Sequence, residues 1–439
     1  MLSDAIPVTV RGGSGCWTVT TPHVPLGRPV VDGDRVLVLI DGRLVALDTA
    51  SGNPHFQSPH RIGRIAHAWN LSPHVLGDRV VVVHQESVRR GGGPVTFTLL
   101  DADDGALVRR LTVEAADRYE LAPGALITWL ATSESEDLVT AHDPADGRLL
   151  WSRSCPRIRQ AQAIAGLLVL WTWRKSPDLI ALDPRTGEPC WTARRTLARR
   201  TFGRADASPW LDGELVRPVR SAGTEDDAAI FFWSQADVAG TTGNTLGLLE
   251  ARTGKVRGSV SAPRGNRYHH YEASLLEGGR TPCVYSCGNG RWLHLLRPFE
   301  PETPVRSLRL FPYRISSGPC RIDAADGRLY LRVDGGLLSA PLNEPGPLRR
   351  CPGYPRSLRA RRPGPQLVSG PHHTYVSHPD TGELLALRAG RVLWHGPGDI
   401  QHQPVPLGDG VLVRGTADGR GGRQSLLRLL DAETGARAD

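Results

Sequence analysis

The chain has 439 residues, 40% of them hydrophobic, ample for a folded core and, on length alone, for two or three domains. Its formal net charge of +8 is carried by arginine, with only two lysines, Lys175 and Lys255, as the coding bias of a GC-rich, actinobacterial genome would give. The densest basic pieces, Arg194-Arg195 to Arg199-Arg200 and Arg359 to Arg362, are short and lack interleaved aromatics, which argues against a nucleic-acid partner.

No stretch approaches the ~20 apolar residues of a membrane helix. The segment Met1 to Pro7 has neither the basic region nor the apolar core of a secretion signal. The seven cysteines (Cys16, Cys155, Cys190, Cys283, Cys287, Cys320 and Cys351) include no CxxC and no adjacent pair. Cys283 and Cys287 would lie ~13 Å apart on one strand face, too far for a disulfide. A soluble, cytoplasmic protein with reduced thiols and no membrane contact is expected.

In chain order, the first element is Gly15-Cys-Trp17 to Thr21, an isolated strand bearing a tryptophan, over residues 15–22. One phrase then recurs: an apolar strand, an Asp or substitute, three variable residues, and a Gly. It appears at Leu44–Asp48 with Gly52, Leu99–Asp101 with Gly105, Val139–Asp143 with Gly147 and Leu179–Asp183 with Gly187. Later copies are Leu248–Glu250 with Gly254 and Leu429–Asp431 with Gly435. Weaker echoes lie at Arg297 to Thr303, Asn343 with Gly346, and His378 with Gly382. Alternating Leu and Val make the strand, the carboxylate accepts turn amides, and Gly supplies the positive φ that closes the turn. Trp151, Trp191 and Trp394 follow, with Phe56 in the equivalent place, and would pack between neighbouring units.

A second phrase precedes each copy, as in Pro29-Val-Val-Asp-Gly-Asp-Arg-Val-Leu-Val38, Pro73 to Val83 and Pro209 to Val216, and again at Cys320 to Leu331 and Pro404 to Val413. Together the phrases give units of roughly 40–50 residues, the size of a four-stranded propeller blade. Nine units are counted, or eight if one weak echo is an insertion. The last unit stops after Gly435 with its outer strand missing, and the Trp17 strand supplies it. The expectation is a single all-β domain over 1–439. It is a closed β-propeller of eight or nine four-stranded blades, with the N-terminal strand completing the last blade. An insertion in the fifth unit spans 221–244 and runs from Glu225-Asp-Asp227 into Ala228 to Trp233. It would be an exposed partner patch or an added strand.

The phrase Ala181-Leu-Asp183-Pro-Arg-Thr-Gly187-Glu-Pro-Cys-Trp191 resembles the PQQ-like repeat of quinoprotein-like and BamB-like propellers, and the resemblance covers nearly the whole chain. It implies the propeller fold but not an activity, because such propellers serve as dehydrogenases, assembly factors, sensors and scaffolds. The alcohol-oxidising members carry adjacent cysteines against the quinone and a Ca²⁺ site. This chain lacks the cysteine pair, so quinone-dependent dehydrogenation is disfavoured and no cofactor is expected.

No metal site is expected either. His269-His270 and His372-His373 lack zinc spacing, and neighbours on a strand point to opposite faces. There is no nucleophile elbow. Gly91-Gly-Gly93 and Gly419-Arg-Gly-Gly422 sit between strands and not before a helix, so they are not phosphate cradles.

The segments leading into each innermost strand are rich in binding groups. They carry His67, Trp69, Arg118, Tyr119, Glu120, Arg159, Arg204, Asp206, Tyr268, His269, His270, Tyr271, Glu272, Tyr313, Arg314 and His402. In a propeller they converge at one mouth of the channel. There Trp69, Tyr119, Arg159, Arg204, Tyr268, Tyr313 and Arg314 would hold an anionic or aromatic ligand, or a partner protein. The leading expectation is a non-catalytic binding or scaffolding protein. The alternative is a cofactor-independent lyase, cyclase or hydrolase using His67, Glu120, His269, His270, Glu272 and His402 as acid–base groups.

Overall fold

A computed structural model describes residues 7–13, 16–22, 27–62, 72–85, 93–172, 179–193, 217–219, 229–238, 241–261, 270–276, 281–287, 292–295, 306–309, 322–325, 327–333, 336–342, 344, 346–355, 366–378, 381–396, 404–419 and 422–436. Among these residues the fold is all-β, as expected of the propeller. There are nine antiparallel sheets of blade topology, eight four-stranded and one five-stranded. Taken in chain order they are sheet 1 (30–57), sheet 2 (73–116), sheet 3 (118–156), sheet 4 (158–193), sheet 5 (217–261), sheet 6 (270–309), sheet 7 (322–350), sheet 8 (366–396) and sheet 9 (405–431).

The chain forms two compact units, one of residues 1–84, 96–111 and 316–439, the other of residues 85–95 and 112–315. In the first, the strand Cys16–Pro22 joins sheet 9 by pairing antiparallel with Gly422–Asp431, Trp17 opposite Leu429 and Pro22 opposite Gln424. The N-terminal strand therefore completes the last blade. A further strand, Thr9–Gly13, pairs outside it and makes sheet 9 five-stranded. Trp17 and Val19 are buried with Val36, Val38 and Ile40 of sheet 1 and Leu412, Leu427 and Leu429 of sheet 9. Leu37, Leu39 and Ala46 of sheet 1 meet Val80, Val82 and Leu100 of sheet 2 on the opposite face. Sheet 1 is thus clad on both sides, which explains its near-continuous apolar runs. In the second unit Ala125, Ile127 and Trp129 of sheet 3 pack on Leu168, Leu170 and Leu182 of sheet 4.

The recurring phrase builds a lock between sheets. Gly52, at φ +72°, donates its amide to Asp48 O at 2.8 Å, while Asp48 Oδ1 accepts the Ser51 amide at 2.7 Å. The Trp17 ring lies on the bare Gly52, where a Cβ would stand 2.5 Å from it, and the indole N–H donates to Thr49 O at 2.9 Å. Trp151 repeats this on Gly187 and Pro184 O, Trp191 on Gly254 and Ala251 O, and Trp394 on Gly435 and Ala432 O, with indole bonds of 2.9, 2.9 and 2.8 Å. The carbonyl is always three residues before the glycine. At the fifth site Phe56 covers Gly105 but has no N–H. Arg35 supplies it instead, its Nη1 donating to Ala102 O at 2.6 Å.

One echo of the phrase belongs elsewhere. His378 with Gly382 closes the turn between the second and third strands of sheet 8, Thr374–His378 and Glu383–Arg388. The third and fourth strands are joined instead by a tight turn at Ala389-Gly390. Within 221–244, Ala229–Val238 is the second strand of sheet 5 and pairs with Thr241–Glu250 along its length, while 221–228 lie outside the described residues.

Candidate functional site

First strands of consecutive sheets lie side by side within each unit: those of sheets 1 and 2, of sheets 7, 8 and 9, and of sheets 3 and 4. This follows from blade topology, because the first strand has a free inner edge that exposes backbone amides. The residues leading into these strands are the candidate site. Of the residues expected there, His67, Trp69, Arg204, Asp206, Tyr268, His269, Tyr313, Arg314 and His402 lie outside the described residues. Arg159 falls on the strand Ile158–Ile164 of sheet 4. His270, Tyr271 and Glu272 fall on His270–Leu276 of sheet 6, where Glu272 is in register with Tyr285.

Side chains of the expected site are described at sheets 3 and 4. Arg118, Tyr119 and Glu120 occupy the first strand of sheet 3, Arg118–Ala122, with Arg118 exposed and the other two half-buried. Glu120 reaches across to sheet 4, where Oε1 accepts the backbone amide of Ala163 at 3.1 Å. Burial raises the Glu120 pKa, and the amide hydrogen bond opposes that rise. Tyr119 is raised as well, by burial and then by the neighbouring Glu120 charge.

Two acids outside the expected set do the same work. Asp117 Oδ2 accepts the Ala131 amide at 2.7 Å. Asp137 Oδ2 accepts the amide of Ile158, the first residue of sheet 4, at 2.6 Å. The Asp137 side chain is 3% exposed, with Arg157 Nη1 at 3.5 Å from Oδ1, and burial again raises its pKa. Asp137 was not singled out from sequence because its partner amide is 21 residues away. The three carboxylates thus satisfy backbone amides, two of them across the seam between sheets 3 and 4. Such bonds fix the relative position of neighbouring first strands. Beside them Arg118 is exposed and Arg157 partly exposed.

No group of three or more His, Cys, Asp or Glu side chains is placed to hold a metal ion among the described residues. No helix there is long and apolar enough to cross a membrane. Cys16, Cys155, Cys190 and Cys351 are free thiols, with burial pushing Cys351 up to about 11.

The sequence matches the family model described as outer membrane protein assembly factor BamB over residues 6–115 and 98–285, more than half of the chain. No curated protein matches it. Among solved structures it is similar to BamB from Moraxella catarrhalis, at 11% identity over 81% of this chain and 93% of that one, TM-score 0.46. A europium-containing methanol dehydrogenase is similar at 11% identity over 82% and 90% of the two chains, TM-score 0.42. The Dos1 propeller is similar at 10% identity over 99% of each, TM-score 0.45. The chain belongs to the BamB family of β-propellers with PQQ-like repeats.

Proposed function

We propose that this protein is a non-catalytic, cytoplasmic binding or scaffolding propeller, whose lead-in loops present a fixed surface to a partner protein or to a small anionic or aromatic ligand. The observation that carries this reading is the use of Glu120, one of the acids expected at the site, to hold the Ala163 amide of the next sheet, seconded by Asp137 on Ile158. A carboxylate fixed in this way stiffens the strand on which Arg118 and Tyr119 stand.

The test is affinity capture from the native cell. The wild type is compared with a variant in which Tyr268, His269, His270, Tyr271 and Glu272 are all alanine, with unfolding curves recorded for both. A partner or ligand retained by the wild type and lost by an equally stable variant supports the proposal. Turnover of a small molecule by the pure protein, with no bound species in either capture, overturns it. Cell fractionation tests the location.

The raised pKa of Glu120 favours a second reading, because a carboxyl held toward its protonated form by burial is suited to proton transfer. On that reading His270→Ala or Glu272→Ala abolishes an activity and leaves the melting temperature unchanged. A loss of folding would instead give both residues a structural role.

A further inference from the structure

We draw no further inference here: the strongest candidate, the buried Arg414 guanidinium and the exposed Arg28 at the seam of sheets 9 and 1, carries nothing because only the lowering of the Arg414 pKa to about 10, by burial first and then by Arg28, ties the two cations together.

Discussion

The replacement of an indole N–H by Arg35 makes a sharp prediction. In four locks the tryptophan covers the glycine and also donates to the turn carbonyl. In the fifth these jobs are divided between Phe56 and Arg35. Arg35→Met keeps much of the aliphatic stem and removes the donor, so Ala102 O is left without its 2.6 Å bond. The expected cost is about 1–3 kcal/mol for the unsatisfied carbonyl. Loss of the partly exposed Arg35–Asp32 pair at 3.0 Å adds only a few tenths of a kcal/mol.

Phe56→Trp in the Arg35→Met background places an indole where the other locks have one, and should recover about 1 kcal/mol. Phe56→Trp alone should gain nothing, because Arg35 already occupies the carbonyl. Hydrogen exchange of the amides from Ala102 to Gly105, measured by mass spectrometry, reads this locally. Protection should fall in the single Arg35→Met variant and return in the double variant. Denaturant midpoints give the coupling for the whole chain. If Arg35→Met costs the same with and without the Phe56→Trp change, the two residues do not share a role and the reasoning fails.

Other outcomes follow from the same geometry. Gly33→Ala and Gly52→Ala both place a Cβ at positive φ, costing about 1–2 kcal/mol. Gly33 has open space and Gly52 has the Trp17 ring at 2.5 Å, so Gly52→Ala should cost a further 1–3 kcal/mol or so in urea unfolding. Glu120→Gln keeps an acceptor for the Ala163 amide and cannot ionise. Burial raises the Glu120 pKa, so the wild type loses stability as pH rises through the carboxylate range. Melting curves from pH 4 to 8 should therefore show Glu120→Gln gaining on the wild type as pH rises, and a gain in the opposite direction refutes the sign. Iodoacetamide on the native protein should label the exposed Cys190 well before the buried Cys351, as read by peptide mass spectrometry.

The blades were legible in the sequence because turn chemistry is local. An Asp or Glu with a Gly four residues on announces a hairpin, and Trp151 and Trp191, each eight residues after such an acid, announce a lock. The same locality explains the misplacement in sheet 8, because the five-residue turn at His378–Gly382 closes a hairpin without revealing which pair of strands it joins. The strand Thr9–Gly13 was missed because only Val8 and Val10 carry its alternation before Gly12-Gly13. Arg35 lies 67 residues from Ala102, and Glu120 lies 43 from Ala163, so neither bond leaves a short-range signature. At the candidate site the residue types were legible and their commitments were not. Glu120 reads as a free acid in the sequence, and in the fold it ties one first strand to the next.

The central claim is that the N-terminal strand completes the last blade, and deletion of residues 1–22 tests it most directly. The deletion removes Trp17 and Val19 from a buried cluster and exposes the edge of Gly422–Asp431. Loss of one buried tryptophan alone costs about 3–5 kcal/mol. The truncated protein should have a markedly lower urea midpoint or associate through its open edge, and a peptide of residues 7–22 added in excess should restore the midpoint. A truncated protein that stays monomeric with an unchanged midpoint would contradict the account.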